Sequence, residues 1–163
     1  MAEARHELLW RLLYKAHVNH FYFERLASWY VWLDRFVRLL AALAACATLA
    51  KFFTDEAPES WQAFLMVTAV ASVVSAIMGF AADSASLCEI KIGWLECSHN
   101  RDRKWAFVRD GADVTNADIM ELQEAERRLE GSAKKFPKIG FLVRKAQDDA
   151  CRRLGVPTRR EQQ

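Results

Sequence analysis

Neither glycine nor proline occurs before Pro58, although the 163-residue chain holds six glycines and three prolines. Nothing in that first stretch forces a break, so a long uninterrupted helix is allowed there. Charge is missing next: Trp61 to Ala82, WQAFLMVTAVASVVSAIMGFAA, contains no Asp, Glu, Lys or Arg. The turn before it, residues 54–60, contains no cation and holds Asp55, Glu56 and Glu59. Catalytic signatures are absent too. The chain has no nucleophile elbow, no phosphate-cradling glycine loop, no HExxH and no CxxC, which argues against an enzyme and leaves no cofactor to place. The four cysteines, at 46, 88, 97 and 151, form no paired framework, so structural disulfides are not expected. The opening MAEARHELLW lacks a basic segment followed at once by an apolar core, so no cleaved signal peptide is expected.

What is present is a pair of apolar runs. Twenty-two residues at about 1.5 Å each reach roughly 33 Å, the thickness of a hydrocarbon core. A shorter run, Phe36 to Phe53, precedes it. The two predict an all-α membrane protein with a two-helix transmembrane hairpin and extended cytoplasmic helices. The implied divisions are an N-terminal amphipathic helix over 1–35, a hairpin over 36–82 and a cytoplasmic helical region over 83–163. Within the hairpin the spans are 36–53 and 61–82, joined by the outer loop 54–60. Arg5, Arg11, Lys15, Arg25 and Arg35 precede the first run, and sixteen further cations follow Asp83. The positive-inside rule then places both termini in the cytoplasm of a bacterial inner membrane. Trp29, Tyr30, Trp32, Lys51 and Trp61 fall where interfacial anchors belong. The first run is the weaker, because only Leu39 to Ala50 is free of charge between Arg38 and Lys51. Snorkelling of those two side chains would let it span.

Small residues recur along the runs. Ala71, Ser75, Gly79 and Asp83 repeat every four residues, Thr68 and Ser72 form an adjacent strip, and Ala41, Ala45 and Thr48 offer a similar surface. Such strips allow close helix packing within a hairpin, between copies, or around a pore. Arg38, Thr48, Thr68, Ser72, Ser75, Gly79 and Asp83 are therefore the pore or helix-packing candidates. Arg38 either snorkels, pairs with Asp83, or lines a pore mouth.

Outside the runs, Leu9, Leu13, Ala16, Phe23 and Ala27 follow helical spacing, with His20 as the polar interruption. A second helix carries Leu87, Ile90, Trp94, Leu95 and Trp105 and stops near Asp110-Gly111. A third begins at a Thr115 or Asn116 cap and runs to Glu130, with Ile119, Leu122, Ala125 and Leu129 on one face. The last covers Ile139 to Leu154 and ends at Gly155. His17 and His20 share a face, and Cys97 with His99 and Cys88 suggests a metal, but four well-spaced ligands are not there, so no metal is expected. Arg101 to Lys104, Lys134 with Lys135 and Lys138, and Arg152 with Arg153 are short basic clusters mixed with acid. They read as solvated or lipid-facing surface, with no specific nucleic-acid binding.

The layout of an aromatic, arginine-bearing first helix (Trp10-Arg11 to Tyr14, Tyr22 to Arg25), two close apolar runs and a later helix with Trp94 and Trp105 resembles the SLATT family of bacterial two-transmembrane effectors. The resemblance covers residues 5 to 150. It implies a homo-oligomer that forms a pore or depolarises the membrane in anti-phage defence, cued by a cytoplasmic sensor or nucleotide-signalling partner. Two other roles fit the same pattern: a non-conducting anchor or adaptor whose helical tail recruits a cytoplasmic partner, and a holin-like phage lysis protein.

Overall fold

The computed structural model describes residues 2–53, 66–67, 69–70 and 80–157. Its secondary structure over those residues is helical, with α1 at Ala2–Phe53, α2 at Phe80–Arg109, α3 at Asn116–Ala133 and α4 at Gly140–Leu154. The chain divides into two units, Met1–Leu26 with Leu87–Gln163 and Ala27–Ser86.

In the first unit the opening turns of α1 pack with α2, α3 and α4. Spacings of three and four put Leu9, Leu13, Ala16, Leu26 and Phe23 on the buried side of α1, and Leu87, Ile90, Trp94 and Cys97 on that of α2. Leu142, Ala146 and Ala150 repeat every four residues along α4, where two alanines keep the helix close to its neighbours. One end of the core is closed by Leu9, Leu12, Val114, Ile119 and Leu122, with Trp105 and Val108 packed against them. The rings of Trp10 and Trp105 meet there at 5.2 Å.

The helix ends follow from local chemistry. Past α2, Gly111 takes φ 93°, and the Gly111 and Ala112 amides donate to Val108 O and Phe107 O at 3.0 and 2.9 Å. This is a Schellman closure, which needs the left-handed residue that glycine supplies. Gly155, at φ 67°, ends α4 in the same way. Thr115 caps α3 as one of the two expected caps. Its hydroxyl accepts from Asp118 N at 3.2 Å, while Asp118 accepts from Thr115 N at 3.1 Å, a full capping box.

Among the described residues no helix is long and apolar enough to cross a membrane. This overturns the transmembrane hairpin, the membrane class and the inner-membrane location that the two apolar runs predicted, and the topology with both termini cytoplasmic falls with them. The helix of the first run does exist, as the continuation of α1. However, its charge-free stretch of twelve residues, 39–50, spans only about 18 Å against the roughly 30 Å of a hydrocarbon core. Arg38, at its edge, is paired with Asp34 one turn back, at 3.0 Å. Most of the second run lies outside the described residues, as does the loop 54–60. From Phe80, the first described residue of α2, the sequence reaches a charge at Asp83.

Candidate functional site

The best-defined constellation of polar groups lies inside the first unit, around Arg101. The row Leu87, Ile90, Trp94, Cys97 continues at the next helical step to Arg101, which places the guanidinium in the core with no solvent exposure. Its Nη1 donates to Leu12 O and its Nη2 to Leu122 O, both at 2.9 Å. Nη2 also donates to Glu126 Oε2 at 2.7 Å. Glu126 reaches this position because it follows Ile119 and Leu122 on the buried face of α3. Ala125, expected on that face, is exposed instead.

Lys15 of α1 binds the other oxygen of Glu126 and also Glu130 Oε1, the latter at 2.7 Å. Burial works against the Lys15 ammonium, yet the hydrogen bonds to Glu126 and Glu130 prevail and raise its pKa. Three helices are thus joined by one chain of charges: α2 through Arg101, α3 through Glu126 and Glu130, and α1 through Lys15 and the Leu12 carbonyl.

Beside this network lies a cleft of about 540 Å³, with Lys15, Tyr22, Trp94, Glu130 and Phe136 on its walls and Lys134 and Lys138 at its border. Tyr22 fixes the turn that forms one lip. Its hydroxyl donates to Pro137 O at 2.5 Å and accepts from Ile139 N at 3.2 Å. Burial raises the Tyr22 pKa, with the Ile139 amide acting in the opposite sense, so the phenol stays protonated and can keep donating. The turn also inserts Phe136 into the core. Arg25 clamps α4 through Asp149, with Nε at 3.1 Å from Oδ2. His17 Nε2 meets Asp102 at 3.0 Å.

The second unit holds a different kind of surface. Trp29, Trp32, Phe36, Leu39 and Leu43 are all exposed, although they follow alternating steps of three and four residues along α1. Trp32 and Phe36 stack within the row at 5.3 Å and 9°.

Of the residues singled out from sequence, Arg38 is well exposed and engaged with Asp34 rather than Asp83. Asp83 is half-buried in the first turn of α2. Thr48 and Lys51 lie in α1, with no side-chain placement described. Thr68, Ser72, Ser75, Gly79 and Trp61 lie outside the described residues. Of the interfacial candidates, Trp29 and Trp32 are exposed and Tyr30 is half-buried. The structure does not bring the described candidates together as a site. Sequence reasoning missed Arg101, Glu126, Lys15 and Tyr22. Among the described residues no group of three or more His, Cys, Asp or Glu side chains could hold a metal ion.

No family model matches this chain, and neither a curated protein nor a solved structure matches it.

Proposed function

We propose that this chain is a non-catalytic helical adaptor that acts as an assembly of identical copies. The observation that carries this is the exposed row Trp32, Phe36, Leu39, Leu43 on α1. Its steps of four, three and four are those of a coiled-coil seam, in which apolar side chains of one helix fill holes on another. A second copy carries the same row, so a twofold pairing is self-complementary without any further partner. Cys46, one step beyond Leu43, is an exposed free thiol on the continuation of the row. The helices of the first unit, joined through Arg101, Glu126 and Lys15, carry the cleft. Of the properties implied by the family resemblance, homo-oligomerisation is the one this row supports. Conduction across a bilayer is not part of the reading.

The test is sedimentation velocity on the full chain beside Leu39→Glu and Leu43→Glu. Wild type should sediment as a dimer or larger species at micromolar concentration, and each variant should shift to monomer with unchanged helical circular dichroism. A monomeric wild type at high concentration would overturn the proposal.

A further inference from the structure

The cleft beside the Arg101 network has the composition of a ligand site, and this goes beyond self-association. Its volume of about 540 Å³ falls within the roughly 300–1,000 Å³ of small-molecule pockets. Tyr22, Phe23, Trp94 and Phe136 supply rings to its walls, with Val18 and Val143 between them. The charges at the cleft do not balance. Lys15, Lys134 and Lys138 face the single carboxylate of Glu130, and Lys15 is already taken by Glu126 and Glu130. Lys134 and Lys138 make no ion pair among the described residues. A second, independent observation concerns Trp94. It is 1% exposed, and its Nε1 is a buried donor with no acceptor among the described residues. Buried donors are rarely left unsatisfied, and an unpaired one is destabilising until an acceptor arrives.

We infer that this cleft binds a small organic anion with an aromatic body and one phosphate or carboxylate group. The rings and valines take the body. The two unpaired lysines at the border draw the anionic end, each acting as a point charge with rotatable donors. The Tyr22 hydroxyl, held between Pro137 O and Ile139 N, keeps the lysine-bearing turn over the cleft. A cation is disfavoured by the same surplus of lysines, and a neutral ring loses the attraction at the border.

The experiment is titration of the full chain with 1-naphthyl phosphate and 1-naphthoate, followed by calorimetry and by the indole N–H signals in ¹⁵N–¹H spectra. The neutral 1-naphthol is the control, and Trp94→Phe assigns the Trp94 signal. Both anions should bind saturably and shift the Trp94 signal. The two probes separate a phosphate from a carboxylate as the preferred anionic group. Binding should weaken about tenfold or more for 1-naphthol, for the exposed double variant Lys134→Glu/Lys138→Glu, and for Val143→Trp, which fills the cleft. Circular dichroism confirms that each variant is folded. Absence of saturable binding, or equal binding by the lysine double variant or of 1-naphthol, would overturn the assignment. Sedimentation of the same samples reads self-association separately, so failure of one idea leaves the other standing.

Discussion

Arg101 Nη2 and Glu126 Oε2 meet at 2.7 Å in the interior of the helical unit, with the guanidinium wholly out of solvent. Two opposite charges occupy core positions of two different helices, and each makes the other tolerable. Glu126 has a second counter-charge in Lys15, whereas Arg101 has only carbonyl oxygens besides.

That asymmetry predicts an order of effects. Glu126→Ala leaves a buried guanidinium without its carboxylate and should destabilise the protein by about 3–5 kcal/mol. Arg101→Met should be milder, because Lys15 still compensates Glu126 and the methionine fills much of the space. Urea unfolding followed by circular dichroism measures both. Equal losses, or a greater loss for Arg101→Met, would mean that Lys15 does not share the charge of Glu126.

The same pair shows how far the sequence could be read. The helix limits were close to legible, because Gly111, Thr115 and Gly155 each act through their nearest neighbours. Most of the buried face of α1 was legible as well, since Leu9, Leu13, Ala16 and Phe23 keep one period. Arg101 was not, because it opens a basic run, Arg101 to Lys104, that looks solvated. Its place at the next step of the row from Leu87 to Cys97 was the available signal. Glu126 continues Ile119 and Leu122 in the same way, and two opposite charges each completing an apolar row point to a buried pair. The first apolar run misled for a different reason. Hydropathy registers how apolar a segment is, but the charge-free length of the first run is about half a bilayer core, and exposure on an isolated helix face looks identical whether lipid or another protein will cover it.

Acid stability should carry a contribution from the start of α3. The hydrogen bond from Lys104 holds the Asp118 carboxyl down to about 2, with further help from the Thr115 hydroxyl and amide. The folded pKa lies below the unfolded value of roughly 4. The stabilisation is therefore complete above about pH 4 and is lost as pH falls from there through about 2. Asp118→Asn should flatten this part of the melting temperature against pH profile and lower the midpoint at neutral pH. A profile unchanged from wild type would show that the capping box does not hold in solution.

His20 should give a slope in a milder window. Burial holds its pKa below the usual value near 6.5, against the pull of Glu24 and a backbone bond to Lys91, while the charges of Lys91 and His17 add to the lowering. Nδ1 has no partner among the described residues. The unfolded chain therefore takes up the proton first, and stability should fall as pH drops below about 6.5 until the folded imidazole also protonates. Thermal melts at pH 7 and pH 5 should show a smaller difference for His20→Leu than for wild type. An unchanged difference would assign the slope to groups other than His20.

Gly93 tests the contact between α2 and α3. Glycine inside a helix is less favourable than alanine by about 1 kcal/mol, so replacement at an open position would stabilise. Here a Cβ would overlap Leu129 Cδ2, with Cδ1 and Cγ at 3.6 Å. The overlapping atom is the end of a half-buried side chain that can rotate away, at the expense of its packing against α2. The two effects are of similar size and opposite sign, so Gly93→Ala alone should change stability by less than about 1 kcal/mol. With Leu129→Ala the obstruction is gone, and the same substitution should then stabilise by up to about 1 kcal/mol relative to that background. The resulting coupling, on the order of 0.5 kcal/mol or more, is readable from four urea titrations. Identical increments in the two backgrounds would mean that Leu129 does not pack over Gly93.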